Sequence, residues 1–149
     1  MKIKKIHYKW YQFDHDTEFL KQLIDKDIKA IYGIPNGGLI LAVKLSYILD
    51  VPLFLSLNEV NKKFKQNEIL IVDDISDSGS TFHNIKLITN YKTASLFVKE
   101  GTKFVPTYYC KTCSKEEWIV FPWEKEDSET VRDRDINDKK NTSNSKENK

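Results

Sequence analysis

The stretch that decides the fold is Ile69-Leu-Ile-Val-Asp-Asp-Ile-Ser-Asp-Ser-Gly-Ser-Thr81, in which an apolar run leads into three carboxylates and a small-residue turn. The run from Ile69 to Val72 favours a buried strand, which we expect to end where Asp73 and Asp74 resist burial. The turn at residues 77–81, called the serine turn below, offers backbone N–H groups, hydroxyls and a helix start, which together suit a phosphate. Carboxylates beside a phosphate site indicate a sugar phosphate.

Apolar periodicity on both sides of this stretch predicts strands that alternate with helices. The other predicted elements are a helix with Asp16 as its N-cap, a strand at 30–34, a helix at 39–49, a strand at 53–57, a helix carrying Phe82, Ile85 and Ile88, and strands at 95–98 and 118–121. Such alternation is typical of an α/β fold, in which a mainly parallel, twisted sheet carries helices on both faces. Residues 35–38, called the glycine loop below, and the serine turn both follow predicted strands, so we expect both to line one cleft.

Bulk composition excludes several classes of protein. The chain of 149 residues fits one domain, and its net charge of +2 gives no field that would favour nucleic acid. The longest apolar run, Leu39 to Val43, is too short to span a membrane, and residues 1–9 lack the apolar core of a secretory signal. With two cysteines and no such signal, the cytoplasm is the expected compartment.

The polar C-terminal end is expected to be separate from the folded part. From Lys125 onward only Val131 and Ile136 are apolar, which is too little to offset the entropy of ordering the segment. We therefore predict a folded domain at residues 1–124 and a disordered polar tail at residues 125–149.

The deciding stretch resembles the signature of the type I phosphoribosyltransferases, which is a hydrophobic strand, two acidic residues, two spacers and Asp-Thr/Ser-Gly-x-Thr. Val72 to Thr81 fills every position, with Ser78 in the Thr/Ser slot. The resemblance implies a small C-terminal hood over the sheet and phosphoribosyl diphosphate (PRPP) as substrate. It also implies a 5-phosphate site made of Asp77, Ser78, Gly79, Ser80 and Thr81.

In this family the two acidic residues, here Asp73 and Asp74, contact the ribose hydroxyls, and the second of them helps to hold Mg²⁺. Asp77 is the implied proton acceptor, near N7 of a purine; the alternative is that it only caps the following helix. A structural role and a catalytic role both remain open for Asp77 at this point.

The glycine loop resembles the family's pyrophosphate-binding loop, and the implied binding residues are Pro35, Asn36, Gly37 and Gly38. Many purine enzymes of the family carry Arg or Lys where this chain has Asn36, so a fixed positive charge is missing. Residues 58–65 occupy the position of a mobile loop that closes over the reaction. That segment is short here, and its lysines either approach pyrophosphate or belong to a solvated hairpin.

The C-terminal part resembles the xanthine-guanine and hypoxanthine branch of the family. By matching position, Lys99 would contact the purine O6, Trp118 would stack on the base, Ile119 would use its backbone on the base edge, and Glu124 would lie near the exocyclic end. The alternatives are core packing for Trp118 and an exposed side chain for Lys99.

The resemblance implies a purine phosphoribosyltransferase of purine salvage that uses Mg²⁺, PRPP and a 6-oxopurine, and that self-associates as a dimer or tetramer. Two other readings remain: a regulator that binds PRPP without turnover, and an enzyme that uses a pyrimidine or another base. Cys110 and Cys113 are interpreted as two ordinary thiols, with a redox pair or a zinc site shared across a dimer as alternatives.

Overall fold

The computed structural model describes residues 2–86 and 90–125, with the side chains of residues 85 and 86 excepted. Its strands are β1 (Lys4–His7), β2 (Ala30–Gly33), β3 (Leu53–Phe54), β4 (Ile69–Val72), β5 (Ile75–Ser76), β6 (Lys92–Lys99), β7 (Tyr108–Cys113) and β8 (Glu117–Val120). Its helices are α1 (Trp10–Leu23), α2 (Gly37–Leu49), α3 (Leu57–Lys63) and α4 (Ser80–Lys86), with a short 3₁₀ helix at Gln66–Glu68.

The main sheet is parallel throughout the described chain. Its strands run in the order β3-β2-β4-β6-β5, and β7 pairs with β6. The first and last strands, β1 and β8, form a separate parallel pair. The predicted mainly parallel sheet is therefore confirmed, and the small hood is built from both ends of the described chain.

Two apolar clusters cover the two faces of the sheet. The larger includes Phe13 and Leu20 of α1 and Leu41 of α2. The other includes Val60 of α3 and Phe82 of α4. The central strand β4, between them, is buried at every position, as expected for a sheet covered on both sides. The predicted helices on both faces are confirmed.

Several local predictions are wrong. Asp16 does not cap α1, which begins at Trp10; Asp16 lies inside the helix and is only 2% exposed. It is buried because the Tyr8 hydroxyl and the Lys111 ammonium both contact its carboxylate, at 2.6 and 3.2 Å. The strand predicted at 53–57 is only Leu53–Phe54, because Ser56 caps α3 by accepting a hydrogen bond from the Glu59 N–H.

The segment predicted as a loop or hairpin is helical. Residues 57–63 form α3, anchored by the fully buried Val60, and the 3₁₀ helix at Gln66–Glu68 leads into β4. Strand β7 was not predicted. The predicted tail beyond residue 125 and Ile88 lie outside the described residues. Within residues 2–86 and 90–125, no helix is long and apolar enough to cross a membrane.

Candidate functional site

Three neighbouring strands deliver the predicted site residues to one edge of the sheet. Strand β2 ends at Gly33, just before the glycine loop, and β4 ends at Val72, just before Asp73. Strand β6, on the other side of β4, ends at Lys99. Because all three strands are parallel, their carboxyl ends share one edge, which is where such sheets bind ligands.

The glycine loop packs directly on the two acidic residues. The Ile34 N–H donates a hydrogen bond to the Val72 carbonyl at 2.8 Å, and the Pro35–Asn36 peptide bond is cis. A Cβ atom on Gly37 would overlap the Asp74 carboxylate, and one on Gly38 would lie 2.9 Å from the Asp73 Cα. Only glycine therefore permits this approach, and the loop leaves Asn36 exposed.

The expectation that both acidic residues resist burial is wrong for Asp74. Strand β5 continues the line of β4 against β6 in unchanged register, since Val72 pairs with Ala94 and Ile75 with Phe97. Asp74 sits in the interruption and is 7% exposed. Its buried carboxylate accepts a hydrogen bond from the Ile75 N–H at 2.8 Å, whereas Asp73 is only half-buried.

The serine turn leads into α4, which begins at Ser80. Gly79 adopts a left-handed φ of 81°, and its carbonyl accepts a hydrogen bond from the His83 N–H. The Ser78 hydroxyl lies 3.1 Å from the Ser80 hydroxyl and accepts a hydrogen bond from the Ser80 N–H. Ser78 and Ser80 are exposed, whereas Gly79 between them is buried, so the turn presents hydroxyls to solvent while its central glycine packs inward.

A segment that the sequence did not single out, residues 102–104, supports the serine turn from behind; it is called the clamp segment below. Buried Ser76 donates a hydrogen bond to the Phe104 carbonyl at 2.6 Å and lies 3.1 Å from the Thr102 hydroxyl. The Lys103 N–H donates to the Ser78 carbonyl at 3.0 Å. Residues 100–107 carry no apolar periodicity, so only the tertiary structure reveals this contact.

Lys99, Asp77 and Trp118 come together at the end of β6. The Lys99 ammonium lies 3.9 Å from the Asp77 carboxylate and 5.8 Å from the centre of the Trp118 ring. The Lys99 side chain is 14% exposed and that of Asp77 is 42% exposed. The structure thus joins a cation, a carboxylate and a half-buried aromatic ring that are far apart in the sequence, and it contradicts a purely exposed position for Lys99.

The backbone of Ile119 is turned away from β1. The Lys4 N–H donates to the Glu116 carbonyl and the Tyr8 N–H to the Val120 carbonyl. Because bonded residues alternate along a parallel pair, the peptide groups of Ile119 point to the opposite side of β8. Its side chain is buried in the core.

Glu124 occupies a different place from Lys99 and Trp118. It lines a pocket of about 350 Å³ at the carboxyl ends of β1 and β8, together with His7, Lys9 and Trp10 among others. Neither Lys99 nor Trp118 belongs to the lining of that pocket. Its predicted place at the exocyclic end of a purine stays a prediction.

The two cysteines are unpaired thiols on β7. Residues three apart on one strand are about 10 Å apart, too far for a disulfide. Burial raises the pKa of the Cys110 thiol to about 12 and also raises the pKa of the Cys113 thiol, so both stay protonated at neutral pH. Their separation along β7 therefore argues against a redox pair formed by these two thiols.

The carboxylates suit a metal that is shared with a substrate. Within residues 2–86 and 90–125, no group of three or more His, Cys, Asp or Glu residues could hold a metal ion by itself. Mg²⁺ commonly binds through one or two carboxylates together with phosphate oxygens of the substrate. Asp73 and Asp74, beside the glycine loop, fit that pattern.

The chain is similar in sequence and fold to purine phosphoribosyltransferases. A purine phosphoribosyltransferase from Pyrococcus horikoshii is 33% identical, with a TM-score of 0.67, over 81% of this chain and 95% of that one. The xanthine-guanine phosphoribosyltransferase of Cereibacter sphaeroides is 28% identical over 147 residues, which cover 81% of this chain and 87% of the relative. The Helicobacter pylori xanthine-guanine-hypoxanthine phosphoribosyltransferase, 21% identical, shares the fold with a TM-score of 0.67 over 93% of this chain and 99% of that one. No family profile matches the chain.

Proposed function

Because the chain belongs to the type I phosphoribosyltransferases, in their purine branch, we propose that it transfers the 5-phosphoribosyl group of PRPP to a 6-oxopurine in purine salvage. The products are a nucleoside monophosphate and pyrophosphate. The observation that carries the choice of base is the meeting of Lys99, Asp77 and Trp118 at the end of β6.

Lys99 selects the 6-oxo group. An ammonium group only donates hydrogen bonds, so it matches a carbonyl oxygen and mismatches the 6-amino group of adenine. The Trp118 ring offers a stacking surface 5.8 Å from that ammonium, and the outward peptide groups of Ile119 supply a donor and an acceptor for the base edge.

The glycine loop and the acidic residues hold the PRPP. The loop backbone binds the leaving pyrophosphate, and the serine turn, residues 77–81, binds the 5-phosphate. Asp73 and Asp74 bind the ribose hydroxyls, and Asp74, together with the pyrophosphate, would hold Mg²⁺. When bound, Mg²⁺ neutralises charge on the leaving group.

Asp77 is the proposed proton acceptor. The purine nitrogen N9 forms a bond to C1 of the ribose while the bond from C1 to the pyrophosphate oxygen breaks. The purine must then lose one proton, and the Asp77 carboxylate takes it at N7. The Lys99 ammonium lies 3.9 Å from this carboxylate, so one base can contact both residues.

The test is product formation by chromatography. Purified protein is mixed with Mg²⁺, PRPP and, separately, xanthine, guanine, hypoxanthine, adenine and uracil. We expect a monophosphate from at least one 6-oxopurine and turnover reduced by about 10²–10⁴ in Asp77→Asn. Asp27→Asn, an exposed carboxylate between α1 and β2, is the control and should keep full activity.

Other outcomes assign other functions. Product from uracil but from no purine would reject the base assignment. Thermal stabilisation by PRPP without product from any base would reject catalysis and favour a PRPP-binding regulator. Full turnover in Asp77→Asn would reject the proton-transfer role alone. Self-association as a dimer or tetramer belongs to the same proposal and is measured by light scattering.

A further inference from the structure

The serine turn brings no positive charge to the phosphate it is proposed to bind. Residues 77–81 contribute one carboxylate, three hydroxyls and a glycine. Lys99, the cation at the end of β6, already lies 3.9 Å from Asp77 and beside the Trp118 ring. A phosphate on this turn would lie beside the Asp77 carboxylate, and the turn itself has no cation to bind it. Anions in proteins are bound most strongly by charged donors.

The clamp segment places a second lysine at the turn. The backbone of Lys103 is fixed there, because its N–H donates to the Ser78 carbonyl at 3.0 Å. Its neighbours are fixed as well: Thr102 lies 3.1 Å from the buried Ser76 hydroxyl, and the Phe104 carbonyl accepts the Ser76 hydrogen bond. A Cβ on Gly79 would lie 2.5 Å from the Phe104 nitrogen, so turn and clamp segment are in direct backbone contact.

The side chain of Lys103 faces solvent between two inward-facing neighbours. Phe104 is 8% exposed and stacks on Phe82 at 5.3 Å between ring centres, and Thr102 is half-buried. Lys103 itself is exposed, and the structure records no ion pair for it with any residue in 2–86 or 90–125. A lysine side chain is a long aliphatic stem ending in a point charge, so it can reach an anion on Ser78 or Ser80.

We propose that Lys103 is a substrate-binding residue whose ammonium group contacts the 5-phosphate held by the serine turn. This inference rests on the proposed function, since the ligand is the same sugar phosphate. The residue supplies from a neighbouring loop the positive charge that the turn lacks. Because the 5-phosphate is bound equally before and during transfer, Lys103 contributes to the KM for PRPP and little to kcat.

The test compares Lys103→Gln with Lys103→Arg and with Lys26→Gln. Lys26 is an exposed lysine between α1 and β2, at the opposite edge of the sheet, and serves as the matched loss of charge. Calorimetric titration measures binding of ribose 5-phosphate and, separately, of pyrophosphate with Mg²⁺. Steady-state kinetics gives KM and kcat for PRPP, and circular dichroism with urea unfolding checks that each variant is folded.

We expect Lys103→Gln to weaken ribose 5-phosphate binding about tenfold, as for one charge-assisted hydrogen bond, and to raise the KM for PRPP by a similar factor. Pyrophosphate binding should stay within about twofold, and Lys103→Arg should restore the affinity because it keeps the charge. Raising the salt concentration should weaken ribose 5-phosphate binding less in Lys103→Gln than in the unchanged protein.

Three results overturn the inference while the proposed function stands. The first is unchanged ribose 5-phosphate binding in Lys103→Gln. The others, an equal loss of ribose 5-phosphate and pyrophosphate binding in Lys103→Gln or an equal loss of ribose 5-phosphate binding in Lys26→Gln, would mean that only the general charge of the protein matters. If the unchanged protein binds neither PRPP nor ribose 5-phosphate, the proposed function fails and the inference fails with it.

Discussion

Two glycines at left-handed φ angles allow the packing of the serine turn to be measured directly. Gly79 has a φ of 81° and Gly101 a φ of 80°, so an alanine at either position suffers the same backbone strain. Their surroundings differ. A Cβ on Gly79 would meet backbone, at 2.5 Å from the Phe104 nitrogen, whereas one on Gly101 would meet only the flexible end of Lys115, at 2.8 Å from Cε.

The expected cost follows from these two contributions. Backbone strain at left-handed φ costs about 1–2 kcal/mol for an alanine, which is the whole expected effect of Gly101→Ala. Gly79→Ala adds overpacking against backbone that cannot move aside, which costs about 1–3 kcal/mol more. The free energy of unfolding should therefore fall by about 2–5 kcal/mol in Gly79→Ala.

The measurement is urea unfolding, with the slope m compared between variants to confirm that the unfolding transition itself is unchanged. Ribose 5-phosphate binding is measured on the same samples, and only Gly79→Ala should weaken it, because only there is the serine turn displaced. Equal losses of stability in the two variants would refute the close contact between the serine turn and the clamp segment. Unchanged ribose 5-phosphate binding by a destabilised Gly79→Ala would refute the expected displacement of the serine turn.

Three further outcomes are expected. Replacing Lys99 by Met should lower kcat/KM for 6-oxopurines by about 10- to 100-fold, because one charged hydrogen bond is lost, while PRPP binding is kept. An equal fall in kcat/KM for adenine and 6-oxopurines in steady-state assays would contradict the selection by Lys99. Asp16→Ala leaves the Tyr8 hydroxyl and the Lys111 ammonium without their carboxylate, so the free energy of unfolding in urea should fall by about 2–4 kcal/mol. The control Asp14→Ala, on the exposed side of the same helix, should lower it by less than about 1 kcal/mol. The pKa of the Cys110 thiol is about 12 in the folded protein and near its ordinary value of about 8.5 in the unfolded one, so the unfolded state loses its proton first and stability falls as pH rises through that interval. Between pH about 8.5 and 10, the free energy of unfolding of Cys110→Ala should therefore fall less steeply with pH than that of the unchanged protein, by up to about 1.4 kcal/mol per pH unit. Identical slopes in the two proteins would mean that the folded thiol ionises normally.

The elements that the sequence predicts well are those set by local patterns. Strand β4 is a run of β-prone apolar residues, and α2 runs from Gly37 to Leu49 with Asp50 as its C-cap before Pro52, close to the predicted 39–49. The parallel sheet follows from the alternation of such elements. The meeting of Lys99 with Trp118 was expected only from the resemblance to a family, since nothing local links residues in two different strands.

The two wrong predictions about carboxylates share one physical cause. Asp16 looks like a helix cap because carboxylates are usually exposed, but here Tyr8 and Lys111 satisfy it in the interior. Asp74 is likewise buried because the glycine loop packs over it and the Ile75 N–H donates to it. The cost of burying a carboxylate depends on its partners, and Lys111 and the glycine loop, which are distant in the sequence, reach these carboxylates only in the tertiary structure.

The pairing of β1 with β8 sets the order in which the site can be completed. Residues 4–7 leave the ribosome before their partners at 117–120, which form the last of the described strands. During synthesis the backbone N–H and C=O groups of β1 therefore stay unpaired until β8 has been made, and other chains can pair with them in that interval. The strand that carries Trp118 is the one that pairs with β1, so the Trp118 ring can join Lys99 only after residues 117–120 have been made.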